Sequence, residues 1–151
     1  MSSTINPRAV LKKFRVVNAA LENRIAGLGK TRLTLLFTPA INFLLVPATS
    51  PSEHSNMLVT IIMEGEAKPE GDNGETIAHF RTTYEARFEY AKDVEELAIK
   101  KAMEDVNYQF ELTSQAYPLS VNSFKQTLAS MGFEDLSLPL SALALTAGGT
   151  N

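Results

Sequence analysis

The side chains able to do chemistry are few and scattered. The 151-residue chain has two histidines and no cysteine, so thiolate nucleophiles, disulfides and thiolate metal sites are ruled out. His54 sits in a Ser/Pro-rich stretch and His79 in an alternating one. A catalytic triad or a multi-histidine metal centre needs partner groups arranged around the imidazole, and neither histidine has such a set. His79 falls on the polar side of its stretch and reads as a solvated strand residue. Glu64, Glu66, Glu85 and Glu89 stand near Lys or Arg on strand faces, where cross-strand ion pairing explains them more simply than acid–base catalysis.

Two short motifs fail for want of context. Gly27-Leu28-Gly29-Lys30-Thr31 ends like a phosphate-binding loop. It lacks the first glycine at the required spacing, and it precedes a strand where the mechanism needs the loop to open a helix. Asp72-Asn73-Gly74 has no acidic residue at the later position a calcium loop requires, and reads as a turn. The chain is therefore not read as an enzyme, and neither cofactor nor metal is expected.

Composition narrows the classes further. Hydrophobic residues make up 44% and charged residues 21% of the chain, as in an ordinary globular domain of this length. A formal net charge of −3 argues against broad affinity for nucleic acid or anionic membranes. The N-terminus lacks the order of a secretory signal, and the apolar run from Ala40 to Pro47 is too short to span a bilayer. A soluble, cytoplasmic single domain is the expectation, with a mobile lead-in over 1–12 and a flexible tail over 142–151.

The elements that must position any site follow from periodicity. Thr76 to Ala91 alternates strictly: Ala78, Phe80, Thr82, Tyr84, Ala86, Phe88 and Tyr90 on one face, His79, Arg81, Thr83, Glu85, Arg87 and Glu89 on the other. That pattern predicts a long strand with one covered and one wet face. Met57 to Lys68 alternates likewise, and the turn-rich Pro69 to Gly74 predicts that the two strands form an antiparallel hairpin. Phe14 to Ile25 alternates imperfectly, with Val17, Ala19 and Leu21 on one side. Thr31 to Thr38 is a cleaner strand, which Pro39 either halts or places at an edge. Residues 39–56 then read as a long loop with a hydrophobic middle, a kind of segment that is often functional.

Helical spacing begins after Lys92. Ile99, Met103, Val106 and Phe110 form one stripe, and Val121, Phe124, Leu128 and Met131 a second. Pro118 must break or kink a continuing helix or begin a new one. The fold expected is α+β, a sheet whose apolar face is closed by C-terminal helices.

The positive functional signal is apolar surface: Phe43, Leu44, Leu45 and Val46 in the expected loop, and Leu136, Leu138, Leu140, Leu143 and Leu145 in the tail. Such segments either tuck into a core or line a groove shared with a partner, because large exposed apolar patches are unusual in monomers. Three functions fit: an oligomeric holdase for unfolded chains, a domain enclosing a small apolar ligand, and an assembly protein without chaperone activity.

Local phrases favour the first. Glu75-Thr76 opening the long strand, Phe88-Glu89-Tyr90 closing it, and Tyr117 to Leu140 with its Tyr117-Pro118 step, Gly132 and Leu/Pro segment resemble the SecB family of export chaperones. The resemblance covers roughly residues 12–141. It implies a four-stranded antiparallel sheet, a crossover loop between the second and third strands at Ala40 to Asn56, and dimers of dimers. It also implies ATP-independent binding of unfolded polypeptides in apolar grooves. The client-binding candidates it implies are Phe43, Leu44, Val46, Phe133, Leu136, Leu138 and Leu140; the oligomer-interface candidates are Ile99, Met103, Val106 and Phe110. The wet face is mixed where motor-coupled members are acidic, so a dedicated client such as an antitoxin is as good an expectation as coupling to the secretion motor.

Overall fold

The computed structural model describes residues 6–23, 33–69 and 78–130. Four strands, β1 Val10–Asn23, β2 Leu33–Val46, β3 Asn56–Pro69 and β4 Ala78–Glu89, precede two helices, α1 Glu96–Ala102 and α2 Val106–Ser130. The strands form one sheet in the order β1-β4-β3-β2, with every neighbouring pair antiparallel. This is the α+β architecture that the periodicities predict.

The strict alternation of β4 sets the core. Ala78, Phe80, Thr82, Tyr84, Ala86 and Phe88 are all buried, and β3 adds Met57, Val59, Ile61 and Met63 beside them. Over this face lies α2, burying Leu112, Ala116, Tyr117, Val121, Phe124 and Leu128, a helical stripe of the expected spacing. Phe124 meets Phe80 edge-on, with centroids 5.9 Å apart and planes at 80°. At the opposite end the Tyr108 hydroxyl donates to the Pro7 carbonyl at 2.7 Å. That direction leaves the Tyr90 hydroxyl, 2.9 Å away, to donate to Tyr108. Burial pushes both hydroxyl ionisations up, so the pair stays neutral and clamps the start of β1 to α2.

Bulges explain the imperfect alternation of β1. The register shifts between Leu11 and Lys13 and again between Val16 and Asn18. Each shift inserts one extra residue and re-phases the strand. Leu11, Phe14, Val16, Ala19 and Leu21 therefore stand opposite the buried face of β4, and Phe14 stacks on Tyr84 at 5.6 Å. Val17, expected beside Ala19 and Leu21, is instead an extra residue. The strand begins at Val10, inside the stretch expected as a lead-in.

Two expectations are corrected, and the choice left open at Pro118 is decided. Residues 39–46 are not loop: β2 runs through Pro39 to Val46, in unbroken register with β3. Pro39 is tolerated because β2 is an edge strand, where one position in two needs no donor to a neighbour. No crossover joins the second and third strands, since β2 and β3 are adjacent and antiparallel; it is β1 and β2 that lie at opposite edges. Finally, the helical break falls before Pro118. α1 ends at Ala102, Asp105 accepts the Asn107 amide at 2.9 Å as an N-cap does, and α2 continues through Pro118. An internal proline costs about 3 kcal/mol. Full burial of Tyr117 and Val121 on either side of it offsets that cost, at about 1.5–3 kcal/mol for a large apolar side chain.

The true β2–β3 connection, 47–55, is fastened at several points. Glu53 accepts from the Thr49 amide at 3.0 Å and the Thr49 hydroxyl at 2.7 Å. Ala48 N donates to Ser55 Oγ at 3.0 Å, and Tyr90 N to the Ser55 carbonyl at 3.0 Å. The Thr49 bonds hold the Glu53 carboxyl below its ordinary value. A lowered carboxylate value stabilises the fold above the unfolded-chain pKa, and this is lost as pH falls through the folded value. Protection of the Thr49 amide against hydrogen exchange, corrected for intrinsic rate, is expected to drop below pH 4.5. In Glu53→Gln that dependence should vanish.

Candidate client-binding surface

The apolar run in β2 is divided by the pleat. Register places Ile41, Phe43 and Leu45 opposite Ile61, Val59 and Met57 on the covered face, where all three pack partly buried against the core. Leu44 and Val46 point the other way, 59% and 42% exposed. The structure thus brings Leu44 and Val46 together and sends Phe43 through the sheet. A loop could have presented all three on one side; a strand of period two cannot. Phe133, Leu136, Leu138 and Leu140 lie outside the described residues.

Neighbours on the open face extend the patch. Leu44 stands opposite Leu58 and Ala40 opposite Ile62, with Leu58 and Ile62 half-exposed. The sequence reading missed both, though Leu58 and Ile62 recur at even spacing between polar residues of β3. Across the sheet the open face turns charged. Arg15 and Glu85 pair at 3.0 Å, and Glu89 lies 3.8 Å from His54 Nδ1, whose ring also contacts the Tyr90 carbonyl at 2.7 Å.

The backbone of β2 is the second component. As an edge strand it has no partner on its outer side among the described residues. The fit of Pro39, which has no N–H, into an unbroken register implies that its backbone faces outward. Ile41, Phe43 and Leu45 share that parity, so their N–H and C=O groups are turned to the open edge. β1, the other edge, carries two bulges, which blunt an edge against pairing. No bulge interrupts β2.

The helical stripe is likewise split. Ile99 is fully buried, while Met103 and Phe110 pack partly buried against the same core. Val106 is 61% exposed, and Leu97, absent from the expected stripe, is 75% exposed. The break at 103–105 shifts the helical phase, so Val106 leaves the side that Ile99, Met103 and Phe110 share. A cleft of about 490 Å³ lies between the start of β1 and α2, lined by Arg8, Val10, Tyr108, Glu111 and Gln115 among others.

Among the described residues no group of three or more His, Asp or Glu side chains is placed to hold a metal, and no helix is long and apolar enough to cross a membrane.

Neither a family model nor a curated protein sequence matches the chain. Among solved structures it is similar to a SecB-like chaperone of Mycobacterium tuberculosis in complex with a ChAD peptide from the HigA1 antitoxin. Identity is 16%, and the match covers 87% of this chain and 90% of that one with a TM-score of 0.61. At such identity the likeness speaks for architecture, and it agrees with the sheet order and two-helix closure found here. The chain has the SecB-like fold.

Proposed function

We propose that the protein is an ATP-independent chaperone that holds non-native polypeptide at the β2 edge. The observation that carries this reading is an unbulged edge strand with outward backbone groups beside exposed Leu44 and Val46. An unfolded client has unpaired amides and exposed apolar side chains. Strand addition satisfies the first and burial the second. The peptide-bound state of the M. tuberculosis structure supports the same reading. Full burial of Tyr84, Phe88, Tyr117 and Phe124 between sheet and helix favours it over enclosure of an apolar ligand.

Weak contacts of this kind gain from repetition, so the working form is a homo-oligomer in the cytoplasm, with the exposed helix residues Leu97, Val106 and Leu119 available to join subunits. Phe133, Leu136, Leu138 and Leu140 are further residues assigned to client binding in this reading. A dedicated client such as an antitoxin suits the mixed open face better than the secretion motor does.

The test is suppression of aggregation of a chemically denatured model protein, alongside mass by light scattering. Leu44→Ser with Val46→Ser is expected to raise the concentration needed for half-suppression by about tenfold, from roughly 0.7 kcal/mol lost per partly exposed side chain. Unchanged suppression, or no suppression by the parent protein, sinks the proposal.

A further inference from the structure

The open face contains a cross-strand pair that the sheet by itself does not favour. One row reads Leu44, Leu58, Arg87, Lys13 across β2, β3, β4 and β1. Lys13 and Arg87 are direct partners, and like charges placed directly opposite are destabilising. The carboxylates flanking Arg87 on its own strand are engaged elsewhere, Glu85 with Arg15 at 3.0 Å and Glu89 toward His54 at 3.8 Å. Among the described residues no carboxylate bonds Arg87 or Lys13, and both are exposed. Strands lie about 4.8 Å apart, so Arg87 sits roughly 10 Å and Lys13 roughly 14 Å from the exposed Leu44, with Leu58 between.

We infer that this row is a docking site for a partner protein's amphipathic segment bearing apolar and acidic side chains about 10 Å apart. Charge complementarity selects that occupant: a carboxylate between Lys13 and Arg87 converts a repulsive pair into a bridged one, while Leu44 and Leu58 cover apolar side chains from the same segment. A basic segment gains only the apolar part and meets two cations. The site is separate from the β2 edge, where backbone pairing is indifferent to client charge. It shares Leu44 and Leu58 with the client surface, so the charges distinguish the two.

The experiment uses two synthetic helical peptides with the same leucines, one carrying glutamates and the other lysines at the remaining surface positions. Binding is read by fluorescence anisotropy at low and high salt. The acidic peptide is expected to bind at least tenfold tighter than the basic one, with salt removing most of the difference. Arg87→Glu combined with Lys13→Glu should reverse the preference while leaving aggregation suppression unchanged, and Arg87→Gln should weaken acidic-peptide binding severalfold. Equal binding of the two peptides, or a preference that survives the charge reversal, overturns the inference. Loss of aggregation suppression in the charge-reversed protein also overturns it, because the two surfaces would then be one.

Discussion

Replacing Phe124 with alanine is expected to lower stability by about 3–5 kcal/mol, the range for deleting a fully buried aromatic ring. Phe124 has no exposed surface and joins α2 to the sheet through its edge-on contact with Phe80. Removing the ring leaves a cavity between elements fixed on both sides by Tyr84, Tyr117 and Leu128, which are also fully buried. A domain of this size has about 5–15 kcal/mol in total, so the variant loses roughly a fifth or more. Urea unfolding followed by far-UV circular dichroism measures it. Leu44→Ala, at an exposed position, should shift stability by no more than about 0.5 kcal/mol. The contrast bears on function. Phe43 packs against the core, so its substitution mixes folding with binding, whereas Leu44 and Val46 report on binding alone. A Phe124→Ala midpoint within error of the parent would mean that α2 does not close the sheet as described.

The second large effect concerns Tyr117 and has the opposite sign. Its side chain is buried, and its hydroxyl has no hydrogen-bond partner among the described residues. Leaving such a group unpaired costs about 1–3 kcal/mol, so Tyr117→Phe is expected to stabilise the protein by that order at neutral pH. Burial also pushes the Tyr117 hydroxyl up to about 12, with the hydroxyls of Tyr84, Tyr90 and Tyr108 raised as well. In the unfolded chain these groups ionise near pH 10; in the folded protein they stay neutral. Protons are therefore retained by the native state and released on unfolding, and stability falls as pH rises above 10. Unfolding midpoints from pH 8 to 11.5 should show this decline, less steep in Tyr117→Phe. A flat profile in the parent protein would show that the tyrosines are accessible to hydroxide.

Why Tyr117 carries this liability is a matter of helix register. The sequence allows a break, a kink or a new helix start at Tyr117-Pro118, and a break or a start would have put the hydroxyl near a helix end and water. Continuation of α2 through Pro118 instead points it at the sheet. The same continuation lets Val121, Phe124 and Leu128 act with Leu112 and Ala116 as one surface.

Local periodicity settled much of this protein before any coordinates. The alternation in Thr76 to Ala91 and Met57 to Lys68 alone determines two long strands, which face is buried and which is wet, because side chains of adjacent residues must leave a pleat in opposite directions. The stripe at Val121, Phe124 and Leu128 follows from 3.6-residue spacing in the same way. Paucity of histidine and absence of cysteine, too, are complete in the sequence. What only the tertiary structure decided depends on neighbours distant in the chain. Pro39 is compatible with a loop or an edge strand, and pairing with β3 selects the edge, which splits Phe43 from Leu44 and Val46. Bulges at Lys12 and Val17 exist only relative to β4. Ile99 and Val106 belong to one stripe on an ideal helix but to core and surface on two helices. The opposition of Lys13 to Arg87 joins residues that nothing in the linear sequence relates.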